Sequence, residues 1–305
     1  MNRGRATRRA GMSALSLFVL LVEPLAREGA WAQGAMDPQE GKADAPVTLR
    51  QAGVDAHYVF GRPFRLDRSG RAKLAWSLVV GASLYTVRRS VRDAAQRNRT
   101  ADLDRVLQDV REATLSGVPA AALGFYLAGT ARDSAFDHET AMLILESLTV
   151  SYALGEAGRW AVASERPNRG ESIHVFAGGG HSVSGDVSAA SSLIAPIADR
   201  HLKVRAGDSR GERFFKRLGT IGLYGAAGLV AYQRIDDDRH WLPDVYLGYL
   251  DGLCVGRMLV DSHRGGRGWR DGEGVAAVRS RRAELTLAPG GVAIRWGAPP
   301  SRVSD

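Results

Sequence analysis

Apolar segments with helical spacing fill the middle of this chain and constrain its fold more than any other feature. They lie at residues 74–95, 118–132, 137–163, 186–200, 212–232 and 241–261. They are too polar or too short to favour membrane spans. Such segments bury their apolar faces by packing on one another. The sequence therefore predicts an all-α fold, a helical bundle, over residues 74–262.

Capping and breaking residues predict where one of these helices begins and ends. Leu103 and Leu107 share one helical face and follow Thr100, a residue type suited to the N-cap position. Gly117 and Pro119 come next, and both disfavour continuation of a helix. We therefore expect one helix to end near residue 117 and another to start after it.

Composition agrees with one main globular domain of ordinary solubility. The 305 residues are 45% hydrophobic and 24% charged, with a formal net charge of +8. Residues 1–32 contribute five Arg against two Glu, so their removal leaves about +5. A mildly basic surface suits anionic or phosphorylated ligands and an anionic membrane surface, and it does not single out nucleic acid.

The first 32 residues have the three parts of a secretory signal peptide. Arg3 and Arg5 lie in a basic start, an apolar run at 12–22 follows, and Ala30 and Ala32 place small residues where a signal peptidase cuts. The apolar run is shorter than the ~20 residues that cross a bilayer as a helix. We expect an exported protein of the periplasm or cell envelope.

The two flanks of the predicted bundle look different from it. Residues 33–73 are rich in Gly, Pro, Asp and Arg without a sustained period, which predicts an extended N-terminal arm. Residues 263–305 begin with a Gly/Arg-rich linker and end in two short apolar runs on either side of Pro289 and Gly290. That pattern predicts a short C-terminal β-hairpin.

Three separated clusters carry residues suited to phosphate chemistry. The first is Arg159 with Arg166-Pro167, the second runs from His181 to Asp186, and the third is Arg234 with His240 and Asp244. Phosphoryl transfer needs fixed cations around the phosphate oxygens, a nucleophile in line and a proton for the leaving oxygen. The three clusters together supply most of that set.

Each residue type has a physical reason to take part in such a site. The arginines offer planar forks that bind phosphate oxygens in pairs. Ser184 and Gly185 precede an apolar helical segment, so backbone N–H groups at its start face an anion. His240 and Asp244 are four residues apart on a predicted helix, which would let the carboxylate hold the imidazole in one tautomer.

The order and spacing of these clusters resemble the type 2 phosphatidic acid phosphatase and vanadium haloperoxidase superfamily. Its pattern is Lys, six residues, Arg-Pro; then Pro-Ser-Gly-His; then Ser-Arg, five residues, His, three residues, Asp. Here six residues separate Arg159 from Arg166-Pro167, five separate Arg234 from His240, and three separate His240 from Asp244. The resemblance covers roughly residues 75–262.

The resemblance implies a helical bundle in which His240 forms a phosphohistidine and Asp244 orients it. The implied phosphate ligands are Arg159, Arg166, Ser184, Gly185 and Arg234. It also implies a phosphatase that acts on phosphorylated small molecules or lipids without a metal ion. From the basic charge balance we also expect peripheral contact with a membrane.

Four positions depart from the family pattern, and Asp186 is the one that bears on catalysis. Arg159 replaces Lys, Val183 replaces Pro, Gln233 replaces Ser, and Asp186 stands at the acid histidine. An aspartate in water is ionised near neutrality and cannot donate a proton to a leaving alkoxide. The departure predicts weak turnover of esters with poor leaving groups. His181 is a candidate for a substitute acid. Alternatively, Asp186 caps the helix that follows it.

Two alternatives to a phosphatase stay open at this level. One is a non-catalytic homologue that binds phosphate or a phospholipid, which Asp186 favours. The other is a haloperoxidase that holds vanadate, because tetrahedral vanadate suits the same arginines. The run Asp236-Asp237-Asp238 predicts a solvated turn rather than a metal site, because consecutive acids do not converge on one ion.

Overall fold

The computed structural model describes residues 49–170, 172–176, 178–264, 282–288 and 291–297, and these residues are mostly helical. The helices are α1 Leu49–Gly61, α2 Arg68–Asn98, α3 Ala101–Arg132, α4 Ala135–Ala161, α5 Gly185–Ser192, α6 Ile194–His201, α7 Arg210–Asp236 and α8 Leu242–Arg264. The predicted all-α class is confirmed. No helix in the described ranges combines the length and apolar character needed to cross a bilayer.

The prediction of an extended arm over residues 33–73 is wrong for its second half. Helix α1 is followed by a 3-10 turn at Arg62–Arg65, and α2 begins at Arg68. Asp67 caps α2, since its Oδ1 accepts the Gly70 N–H at 2.7 Å. Val59 of α1 is 1% exposed and lies in an apolar cluster with Leu143 and Leu259, which explains why this segment folds back as a helix. Residues 1–48, including the predicted signal peptide, lie outside the described residues.

Helix α3 does not end at Gly117, as the sequence predicts. The Thr100 cap is confirmed, since its Oγ1 accepts the Leu103 N–H at 3.2 Å. The helix then continues through Pro119 to Arg132. Val118, next to the proline, is 1% exposed and packs with Ile144 of α4. Burial of this face outweighs the hydrogen bond that a proline cannot make.

The main core lies where α7 and α8 pack on α5, and the site is built at one end of it. Val230 of α7, Tyr246 of α8 and Val187 of α5 are fully buried in one cluster. Helix α5 approaches α8 unusually closely. A Cβ on Gly248 would lie 2.5 Å from the Ser184 carbonyl oxygen, and one on Gly252 would overlap the Ser188 carbonyl oxygen. Glycine at these positions therefore fixes where α5 begins.

Two small antiparallel sheets complete the described structure. Strands β1 Val162–Ser164 and β2 Ile173–Val175 pair directly after α4, and the sequence analysis did not predict them. Strands β3 Arg282–Ala288 and β4 Gly291–Gly297 form the predicted C-terminal hairpin, with Leu285 paired to Ile294. This hairpin belongs to a separate compact unit. Residues 265–281 of the predicted linker lie outside the described residues.

Candidate active site

One cavity of about 420 Å³ brings most of the predicted site residues together. It is lined by Tyr152, Arg159, Arg166, His181, Gly185, Asp186, Ala189, Arg234 and His240. Arg159 and Arg166 come from one stretch of the chain and Arg234 from another, so the convergence of the two stretches is a property of the fold. Ser184 and Asp244 are buried and do not line the cavity.

The small β1–β2 sheet positions two of the arginines and His181. Arg159 lies in the last turn of α4, and Arg166 follows β1 by two residues. The His181 N–H donates to the Ser164 carbonyl at 2.9 Å, which ties the loop before α5 to β1. The Arg159 Nε–H donates to the Val183 carbonyl at 3.2 Å. The loop before α5 is thus tied to β1 through His181 and to the last turn of α4 through Arg159.

A tight loop between α7 and α8 returns His240 to the end of α7. The N–H groups of Arg239 and His240 both donate to the Arg234 carbonyl, at 3.1 and 3.2 Å. Asp238 has a φ of 54°, a left-handed conformation that aspartate tolerates better than most residues. Arg234 and His240 are therefore held on the same side of the cavity.

The prediction that His240 and Asp244 share a helix is wrong. Helix α8 begins at Leu242, so His240 lies in the loop before it and Asp244 in its first turn. Pro243 explains the start, because a proline suits the first turn of a helix and its missing N–H costs nothing there. The His240 N–H instead closes the loop onto α7.

The His181 backbone, not Asp244, holds the imidazole of His240. The His240 Nδ1 lies 3.0 Å from the His181 carbonyl oxygen. A carbonyl only accepts, so Nδ1 carries the proton and Nε2 keeps its lone pair. Asp244 Oδ2 lies 4.0 Å from Nδ1, beyond hydrogen-bond distance. This geometry leaves Nε2 as the ring nitrogen that carries the lone pair.

Asp244 is a structural carboxylate beneath the site. Its Oδ2 accepts the Trp241 N–H at 2.9 Å and its Oδ1 accepts the Ser164 hydroxyl at 3.2 Å. Its backbone carbonyl accepts the Ser184 N–H at 3.1 Å. One residue thus joins the start of α8, strand β1 and the start of α5. The orienting role predicted for Asp244 is replaced by this indirect one.

Burial sets the protonation of both His240 and Asp244. It lowers the pKa of His240 to about 3, and the Arg234 charge adds to that effect. It raises the pKa of Asp244 to about 8, against the opposing hydrogen bonds from Trp241 and Ser164. The imidazole is therefore neutral at pH 7, the state in which it can attack phosphorus.

Gly185 allows an arginine to lie directly on the start of α5. A Cβ at this position would be 2.7 Å from Nη2 of Arg159, closer than real contacts permit. The first-turn N–H groups of a helix have no acceptor within the helix, so they remain for an anion. The hydroxyl of Ser184, the N-cap residue, is fully buried without a hydrogen-bond partner among the described residues.

Arg166 lies near other positively charged side chains. Its pKa is lowered by burial and then by the charges of Arg239 and Arg169. Its Nε is buried and has no hydrogen-bond partner in the described part of the chain. Such a guanidinium favours an anion in the cavity, because an anion would relieve both the repulsion and the unmet hydrogen bond.

Asp186 is held by arginines rather than serving as a helix cap. Its Oδ2 accepts the Arg111 Nε–H at 2.8 Å and lies 3.5 Å from Nε of Arg234. The N-cap position belongs to Ser184, so the helix-cap interpretation of Asp186 is wrong. The carboxylate therefore lies beside the predicted phosphate position with a cation on each side.

The turn after α7 is an ion-paired turn, not a solvated one. Asp236 is 2% exposed, and burial raises its pKa to about 6, with Asp104 adding to the rise. Asp238 accepts two hydrogen bonds from Arg92, at 2.7 and 2.8 Å. Oδ2 of Asp237 lies 3.3 Å from Nε of Arg239, and its Oδ1 lies 3.7 Å from Nη2 of Arg99. That these aspartates do not bind a metal stays a prediction.

Sequence reasoning missed two residues of the site, Arg111 and Tyr152. Arg111 has the spacing of an ordinary surface charge on α3, and only its contact with Asp186 identifies it. Tyr152 lies two helical turns before Arg159 on α4, and the Arg159 guanidinium lies 5.9 Å from its ring centroid. The i, i+7 spacing of this pair could have placed Tyr152 on the same face.

Comparison with known proteins adds no relative: no family model, no curated protein and no solved structure matches this chain.

Proposed function

We propose that this chain is a hydrolase of phosphate monoesters or lipid phosphates that acts through a phosphohistidine at His240. One observation carries the proposal: Arg159, Arg166 and Arg234 share a cavity with an imidazole whose Nδ1 donates to a carbonyl. That arrangement leaves the Nε2 lone pair for phosphorus. The resemblance of the three sequence clusters to the phosphatidic acid phosphatase superfamily points the same way.

The first step uses the arginines to hold the phosphate oxygens while Nε2 of His240 attacks. The Nε2–P bond forms, the ester P–O bond breaks, and the electron pair leaves with the ester oxygen. The guanidiniums neutralise charge on the equatorial oxygens. Water then attacks phosphorus and the N–P bond breaks, which releases inorganic phosphate and free His240.

Protonation of the leaving oxygen is the weak point of this mechanism. The Arg111 Nε–H donates to Oδ2 of Asp186 at 2.8 Å, so this carboxyl oxygen is already occupied as an acceptor. His181 lines the same cavity, but burial and the charges of Arg166 and Arg159 lower its pKa. A bound phosphate would offset those charges and raise the pKa of His181 again. We therefore favour His181 over Asp186 as the acid and expect slow turnover of alkyl esters.

A second candidate is a protein that binds phosphate or a phospholipid without turnover. The Asp186–Arg111 contact favours it, because it leaves no ready acid beside the leaving group. The two candidates share the binding step and differ in whether the ester bond of the bound ligand then breaks.

Phosphate release from para-nitrophenyl phosphate and from an alkyl phosphate tests both candidates. A hydrolase gives steady release that is faster for the aryl ester, and His240→Ala abolishes it. Arg105→Ala is a suitable control, because the Arg105 side chain is 74% exposed and faces Asp102. Tight phosphate binding without release would favour the second candidate. Equal release from wild type and His240→Ala would contradict the first.

A further inference from the structure

We propose that Arg111 is a positioning residue that neutralises Asp186 and so keeps the cavity receptive to phosphate. This inference rests on the proposed function, and it concerns a residue outside every sequence cluster of the site. It starts from a conflict: a carboxylate lies on the wall of a cavity that the arginines prepare for an anion.

The geometry gives Arg111 the means to resolve that conflict. Its Nε lies 2.8 Å from Oδ2 of Asp186, whereas Nε of Arg234 lies 3.5 Å from the same oxygen. The nearer cation is therefore Arg111, which comes from α3 and does not line the cavity. Holding the carboxylate toward α3 leaves the Arg234 guanidinium available for a ligand.

Loss of Arg111 would turn Asp186 into a competitor for the ligand site. Among the described residues, Arg234 is the other cation within 4 Å of the carboxylate, and Asp186 would then pair with it. A phosphate would have to displace that internal anion and to approach its uncompensated charge. Both Asp186 and Arg111 are only partly exposed, with 30% and 23% of their side chains accessible, so solvent screens this interaction incompletely.

A double-mutant cycle on binding of inorganic phosphate separates this role from others. Arg111→Ala should weaken binding by about 10-fold in the wild-type background, since charge pairs of this kind commonly couple by that much. In the Asp186→Asn background the same substitution should cost less than about 3-fold, because no carboxylate remains to neutralise. Arg111→Lys, which keeps the charge, should retain most of the wild-type affinity, and Arg105→Ala on the same helix should change nothing.

The outcomes distinguish this inference from the proposed function. An equal loss in both backgrounds would overturn it, because Arg111 would then bind phosphate directly; no loss in either would overturn it as well. The same cycle measured on the melting temperature, without ligand, should show a non-additive effect of the two substitutions. Additive melting effects in a protein that binds phosphate would overturn the inference alone. A wild-type protein that binds no phosphate would overturn the proposed function and, with it, the role of the pair in phosphate binding, whereas non-additive melting would still support the pairing of Arg111 with Asp186.

Discussion

Two carboxylates near the same cavity, Asp244 and Asp186, differ in their burial and in their partners. Asp244 is buried, receives hydrogen bonds from Trp241 and Ser164, and has its pKa raised to about 8. Asp186 is partly exposed and is paired with Arg111 and Arg234. The first joins three elements under the site, and the second lies on the cavity wall, where Arg111 holds it. The same side chain is structural in one setting and bears on function in the other.

Arg234 interacts with both His240 and Asp186, and we expect its replacement to have the largest effect on catalysis. It lowers the pKa of His240 and lies 3.5 Å from Asp186. Arg234→Ala should reduce kcat/KM by about 10²–10³-fold, the usual result of losing one fixed donor to transition-state charge. Steady-state kinetics with para-nitrophenyl phosphate measures this. Arg213→Ala, an exposed arginine of the same helix, is the control, and a loss below about 10-fold for Arg234→Ala would place the phosphate elsewhere.

Replacement of Asp244 tests whether that carboxylate is structural. Asp244→Ala leaves a buried N–H of Trp241 and the Ser164 hydroxyl without their acceptor, so the free energy of unfolding should fall by about 2–4 kcal/mol. Asp244→Asn keeps an acceptor oxygen and should lose less. Urea denaturation gives both values. Wild-type stability in Asp244→Ala would mean that these contacts do not hold the start of α8.

Replacement of Asp186 tests whether that carboxylate limits catalysis. Asp186→His should raise turnover of an alkyl phosphate by about 10-fold, less than general acid catalysis usually gives, because Arg111 and Arg234 disfavour a protonated imidazole. Turnover of para-nitrophenyl phosphate, whose leaving group needs no proton, should change little. If both substrates gain equally, the effect comes from charge and not from proton donation.

A third carboxylate, Asp251 of α8, does not line the cavity. Its replacement should have the smallest effect of the four, a change in how the free energy of unfolding depends on pH. Burial raises its pKa to about 7 in the folded protein, and the Ser188 hydroxyl donates to it at 2.5 Å. A raised pKa contributes stability at low pH that is lost as the pH rises through about 7. Between pH 6.5 and 8.5 the wild type should therefore lose about 1 kcal/mol more unfolding free energy than Asp251→Asn. His240 and Asp244 are present in both proteins, so their titrations cancel in this comparison. Parallel curves for the two proteins would contradict the raised pKa.

The sequence predicted part of the geometry around His240 and missed the rest. Spacing within a short stretch placed Arg234 and His240 together, because a single loop joins them. Spacing could not reveal that Pro243 starts a new helix after His240, or that a backbone carbonyl replaces Asp244 as the partner of the imidazole.

Sequence reasoning brought the three clusters together but could not find long-range partners outside them. Arg111 and Asp186 are 75 residues apart in the chain, and no pattern in either segment predicts that they form a pair. Pro119 was misjudged for a related reason, because burial of α3 against α4 overrides a local helix breaker. Helical class, by contrast, follows from apolar periodicity alone, and the structure confirms it.

The most direct test of the account is to trap the covalent intermediate. Wild-type protein mixed with para-nitrophenyl phosphate and quenched in alkaline denaturant should gain the mass of one phosphoryl group, since a phosphorus–nitrogen bond survives base and is lost in acid. Peptide mapping should place the group on His240, and His240→Ala should carry none. A phosphoryl group on another residue, or steady turnover by wild type that never accumulates one on His240, would contradict a nucleophilic Nε2.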